Sequence, residues 1–135
     1  MYESAYASRP HAHILTGMCG RYVQARTDSQ LLGDFAASGE LGWEPAFSVA
    51  PTNRAPILRV RDDERQLELA KWSFRPSWMK AGGPPNINAR IETVATKPMF
   101  RGAFSSDRIV VPMSGYYEWE QIDGQKQPWF INGKT

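Results

Sequence analysis

The sequence predicts an α+β fold, mainly antiparallel β-sheet and barrel-like, with short flanking helices and an incomplete carboxy-terminal side. Three observations predict it. Short β-branched and aromatic runs recur along the chain and are separated by turn residues, not by long helical stretches. Only one segment carries a full helix start signal. The last strong turn, Asn132-Gly133-Lys134-Thr135, ends the chain with no strand after it to pair against, so the domain is expected to be cut short.

Residues 1–17 mix Ser, Ala, His and Pro without helical or strand periodicity. Residues 1–18 are therefore read as a disordered leader or a miscalled start, and residues 19–135 as one domain. Cys19 to Val23 reads as a short strand. Thr27 followed by Gln30 resembles a capping box, opening a helix with Leu31, Leu32 and Phe35 inward that should stop near Gly39. Pro45, Pro51 and Pro56 break up an irregular stretch. Ile57 to Val60, a charged turn at Arg61 to Arg65, and Leu67 to Phe74 then read as a hairpin. Pro76 to Asn88, rich in Pro, Gly and Trp, is expected to be a long ordered loop, where function tends to sit. Glu92 to Phe104 reads as helical in part, Arg108 to Val111 as a buried strand, and Tyr116 to Ile122 as an alternating strand. Asp123-Gly124 is a hairpin turn leading to Pro128 to Ile131. There is no internal repeat or low-complexity run.

A chain of 135 residues is long enough to bury roughly two thirds of its unfolded surface and so to have its own core. Lys plus Arg total 16 against 14 for Asp plus Glu, a net of +2 that does not by itself indicate a nucleic-acid partner. The distribution says more: Lys71, Arg75, Lys80, Arg90, Lys97, Arg101 and Arg108 face only Glu92 and Asp107 in the same stretch. That excess is either a solvated basic face or a phosphate-binding one. One cysteine excludes an intrachain disulfide and a Cys-cluster metal site, and fits a reducing cytoplasmic compartment. No run approaches the roughly 18 apolar residues of a membrane helix, and the leader lacks a signal peptide's apolar segment. The expected protein is soluble and cytoplasmic, with no cofactor, metal or membrane partner.

A single thiol is either small buried filler or chemistry. If Met18 is removed, Cys19 carries a free α-amine two carbons from its thiol, and both groups can add to one aldehyde to close a five-membered thiazolidine. The amine titrates at about 7.7 to 8.0 and the thiol at about 8.5, so neutral amine is present at physiological pH. No strong base is needed for the first step.

Several further motifs occur in order: Ala50-Pro51-Thr52, Lys71-Trp72-Ser73-Phe74-Arg75-Pro76-Ser77-Trp78, Asn88-Ala89-Arg90-Ile91-Glu92-Thr93, Lys97-Pro98-Met99-Phe100, and Val111-Pro112-Met113-Ser114-Gly115-Tyr116-Tyr117-Glu118-Trp119. Together with Cys19-Gly20-Arg21-Tyr22, this set resembles the SOS response-associated peptidase family over Cys19 to Phe130. The resemblance implies a protein that binds single-stranded DNA and captures abasic sites covalently through Cys19, with self-cleavage that exposes the cysteine. By the same resemblance Asn88 holds the sugar and assists ring closure, and Glu118 transfers protons. Arg21 and Arg90 would grip phosphates, while Trp72, Trp78 and Pro51 would line the DNA groove. Each residue also has an ordinary reading. Asn88 suits an Asx-turn, Glu118 a solvated strand position, Arg21 and Arg90 an internal salt bridge, and Trp72 and Trp78 core packing.

The chain departs from the family pattern in three ways. A leader precedes Cys19, Ser73 stands where the pattern has Gly, and the family's carboxy-terminal His-x-Arg-Met-Pro block has no counterpart. His11 and His13 belong to the leader and do not replace that histidine. Missing strands would leave open edges, a route to self-association. The competing reading is a non-covalent single-stranded DNA binding module made inert by truncation. A papain-like peptidase is disfavoured, because the thiol has no histidine partner outside the leader.

Overall fold

The computed structural model describes residues 19–133. The expected leader, both histidines and the last two residues lie outside the described residues.

The first helix follows from its cap. Thr27 accepts from the Gln30 backbone N–H, and the Gln30 side chain accepts from the Thr27 N–H, so α1 (Asp28–Phe35) begins with the capping box the sequence announces. Leu31 is fully buried, while Leu32 and Phe35 pack at the margin of the same cluster. The helix ends at Ala36, in the left-handed conformation, and not near Gly39. Gly39 has another duty: a Cβ there would lie 2.3 Å from the carbonyl oxygen of Leu67. The glycine lets two backbones cross where Ser38 exchanges hydrogen bonds with Arg65 and Leu67.

β1 (Tyr22–Gln24) lies inside a four-stranded antiparallel sheet ordered β2-β1-β5-β6, with β2 at Ala46–Val49, β5 at Gly115–Ile122 and β6 at Gln125–Ile131. β2 falls in the stretch expected to be irregular. Its pairing with β1 contains a register shift and only Val49 is buried on it, so no clean alternation marks it in the sequence. β3 (Arg54–Arg61) and β4 (Glu64–Lys71) form a separate two-stranded sheet, paired from Arg54 with Lys71 to Arg61 with Glu64. Both hairpins close with two-residue loops in the left-handed region: Asp62 at φ 50° and Asp63 at 62°, Asp123 at 48° and Gly124 at 78°. That geometry matches the natural twist of the flanking strands. The sheets do not close into a barrel among the described residues, which revises the barrel-like expectation to open antiparallel sheets with short helices.

β3 includes Pro56, and pairing parity explains why. Leu58 directs its N–H away from β4 to Val110, which donates back to Leu58. Pro56 has the same parity, so its missing N–H removes no bond to β4. Continuing the Leu58–Val110 register sets Pro56 opposite Pro112, where neither residue has a donor. Arg108 to Val111 is therefore not the buried strand expected. It forms one bridge, at Val110, and leaves Ile109, Val110 and Val111 40%, 53% and 38% exposed.

Two clusters make the core. Tyr22, Val49 and Ala55 join one, and Leu31, Leu41 and Leu67 the other, with Trp43 packed against both. Gly115 is needed where β5 meets β6, because a Cβ would overlap the Phe130 ring at 2.4 Å. Residues 76–88 contain no strand or helix, as expected, and lead into α2 (Ile91–Val94) and α3 (Arg101–Ser106).

Candidate active site and nucleic-acid surface

Cys19 lies three residues before the start of β1, not within a strand running from Cys19 to Val23 as expected, and is partly buried, with its thiol 3.5 Å from the carbonyl oxygen of Arg21. The Asn88 side-chain amide donates to the Cys19 carbonyl at 3.0 Å, linking the end of the long loop to the start of the sheet. Pairing of β1 with β5 brings in the third residue. Tyr22 lies opposite Tyr116, and Tyr117 donates to Arg21, so the same register carries Glu118 beside Gly20 and Cys19. Glu118 is 7% exposed. Among the described residues its carboxylate has no hydrogen-bond or ion-pair partner.

Burial pushes the Cys19 thiol above its ordinary pKa, the Arg21 backbone offsets part of the rise, and the charge of Glu118 adds to it. At neutral pH the sulfur is therefore held as a thiol. Tyr22 is buried beside it, and burial followed by the neighbouring Cys19 pushes its phenol up to about 12. The Tyr22 ring packs on Trp72, with centroids 5.5 Å apart.

A cavity of about 480 Å³ opens at this point, with Cys19, Tyr22, Trp72, Phe74, Asn88 and Met113 among its lining. Its walls are largely apolar, and Lys71 and Asn86 add polar groups. Glu118 is not among its lining residues.

The residues expected to touch DNA are spread around this centre. Arg21 is partly buried and Arg90 is exposed, and neither forms a salt bridge among the described residues. Trp78 is 64% exposed on the long loop. Pro51 sits in the Ala50–Asn53 turn, where Asn53 donates back to Ala50 and Thr52 donates to the Trp72 carbonyl. Trp72 is half-buried, and its indole N–H donates to Ile87 at 2.7 Å. Arg21, Arg90, Trp78 and Pro51 are not part of the cavity wall. Sequence reasoning quoted Tyr22 without assigning it a role, and passed over Asn86. No alternation marks Tyr22, because all three residues of β1 are buried. Among the described residues no group of three metal-ligating side chains converges.

Residues 18–135 match the family described as SOS response associated peptidase (SRAP). The chain belongs to this family. Among SRAP relatives, the abasic site processing protein YedK of Escherichia coli is 34% identical over 120 residues, covering 84% of this chain and 53% of YedK. YoaM of Bacillus subtilis, also named an abasic site processing protein, is 32% identical over 117 residues, covering 80% of this chain and 50% of the relative. The abasic site processing protein HMCES of Gallus gallus is 32% identical over 103 residues, covering 66% and 31%. A crystal structure from Bacteroides thetaiotaomicron superposes with a TM-score of 0.74 at 20% identity, covering 84% of this chain and 54% of that one, and establishes the shared fold. A phage-related protein of Bordetella bronchiseptica gives 0.68 at 27% identity, covering 85% and 55%. The chain thus spans about half the length of the bacterial relatives it matches.

Proposed function

We propose that this chain binds single-stranded DNA and captures abasic sites covalently through Cys19. The observation that carries the reading is the meeting of Cys19 with Asn88 and Glu118, including the 3.0 Å hydrogen bond from Asn88 to the Cys19 backbone. Family membership and the names of the relatives support the choice of an abasic site as substrate.

The chemistry begins once the Met18–Cys19 peptide bond has been hydrolysed, which frees the Cys19 α-amine. The neutral amine attacks the aldehyde carbon of the ring-opened deoxyribose, and the resulting carbinolamine loses water to give an imine. The thiol then adds to the imine carbon. Its sulfur forms the new C–S bond and its proton passes to nitrogen, closing the thiazolidine. Glu118 suits the proton transfers, accepting from the amine and donating to the departing hydroxyl. A thiol held protonated by burial reacts second, which matches this order. Asn88 both orients Cys19 and offers its amide to the sugar. Arg21 and Arg90 supply phosphate contacts, Trp78 a face for base stacking, and Pro51 a rigid edge of the groove.

Denaturing intact mass spectrometry, before and after incubation with single-stranded DNA carrying one abasic site, tests the reading. The expected result is a chain starting at Cys19 and an adduct that is lost in Cys19→Ala. Binding without any denaturant-resistant adduct would replace it with the non-covalent binding module.

A further inference from the structure

We propose that Trp72 is a positioning residue that sets Asn88 against Cys19 through the backbone of Ile87. This rests on the reading of Cys19 and Asn88 as the reacting pair. It gives the tryptophan a duty inside the protein instead of a place in the DNA groove.

Trp72 touches three segments at once, the Ala50–Asn53 turn, the start of β1 and the end of the long loop. Its backbone N–H donates to Asn53 and its carbonyl accepts from Thr52, both at 2.8 Å, which holds the Ala50–Asn53 turn to the end of β4. Its ring packs on Tyr22, three residues after the cysteine. Its indole N–H reaches Ile87 at 2.7 Å. Ile87 immediately precedes Asn88, whose amide holds Cys19. A closed circuit results: Cys19, Tyr22, Trp72, Ile87, Asn88 and back to Cys19. The long Pro- and Gly-rich loop has no strand or helix to fix where it ends. Near its end, among the described residues, it is tied by the Trp72 bond to Ile87, by the Phe74–Asn86 bridge, by the contact of the Asn86 amide with the Met99 sulfur, and by the Asn88 bond to Cys19. A half-buried ring whose N–H is already satisfied is well suited to holding a loop and poorly suited to stacking on a base.

The chain has one cysteine, so alkylation by iodoacetamide reports on Cys19 alone. In the wild type the partly buried thiol reacts slowly. Asn88→Ala frees the Cys19 backbone and speeds alkylation by about fivefold, the factor one buried hydrogen bond represents. Trp72→Phe keeps a ring against Tyr22 but removes the donor to Ile87, and accelerates the reaction to a similar or smaller extent. The decisive comparison is the double variant. If Trp72 acts through Asn88, Trp72→Phe adds nothing in the Asn88→Ala background, and the midpoint of the pH–rate profile is the same in the double variant as in Asn88→Ala.

Multiplying effects in the double variant, or an unchanged rate in Trp72→Phe alone, overturns the proposal. If Trp72→Phe does not fold, benzothienylalanine at position 72 keeps the bicyclic shape, exchanges only the N–H for sulfur, and supplies the same cycle. Affinity for single-stranded DNA without a lesion is measured beside it. It stays within about twofold of wild type for a positioning residue, and a drop beyond tenfold returns Trp72 to the groove. The two proposals fail separately. A non-additive cycle with no abasic adduct in the wild type removes the DNA reading and leaves the role of Trp72 intact.

Discussion

At the scale of single residues, the site is two titratable neighbours with opposite demands. Glu118 raises the Cys19 pKa by its charge, so Glu118→Gln should lower the midpoint of the pH–rate profile for Cys19 alkylation. The midpoint stays above that of an ordinary thiol, because burial, the larger cause, remains. An unchanged midpoint would mean that the carboxylate is not felt at the sulfur. Tyr22 gives a second test. Its folded pKa, about 12, lies above the ordinary value of 10.0, so the protonated phenol stabilises the fold fully below about pH 10, and that contribution is lost as pH rises toward 12. Tyr22→Phe should therefore flatten the alkaline side of the stability–pH curve, measured by urea unfolding between pH 9 and 12. Cys19, Asn88 and Glu118 were legible as a set because their motifs resemble one family. Tyr22 was not, since a buried tyrosine and a site tyrosine look alike until a partner such as Trp72 is known.

At the scale of elements, local signals were readable and long-range ones were not. The capping box of Thr27 and Gln30 and the Asp123-Gly124 turn depend on neighbours in sequence, and both occur as expected. Thr27→Ala should cost about 1 kcal/mol in denaturant unfolding, with the helix otherwise retained. Gly39 was read as a helix stop because a glycine after a helical run usually is one. Its reason is the Leu67 carbonyl 2.3 Å from where a Cβ would sit, a contact no local pattern reveals. Gly39→Ala should therefore cost at least about 2 kcal/mol, far more than a substitution just beyond a helix end, and a cost below about 0.5 kcal/mol would refute the close crossing. The expected strand at Arg108 to Val111 failed for a similar reason. Its apolar run is suitable, but prolines 56 and 112 remove the donors that would extend the ladder from Val110.

At the scale of the whole molecule, Trp43 joins the two clusters of the core, and its backbone N–H donates to the Asp28 carboxylate at the start of α1. Trp43→Ala should cost about 3 kcal/mol by loss of packing on both sides. It should also lower protection from hydrogen exchange in both sheets at once, whereas an effect confined to one sheet would mean the clusters are independent. The pairing of β1 with β5 carries a consequence for the order in which the molecule assembles. The β3–β4 and β5–β6 hairpins close across two-residue loops and can form within microseconds. Joining Tyr22 to Tyr116 requires ends separated by most of the described chain to meet, so that entropy is spent late. The proposed reactive centre is then among the last parts of the protein to exist on the way to the native state, and among the first to come apart. Exchange labelling during refolding should find the β3–β4 amides protected before that of Tyr117.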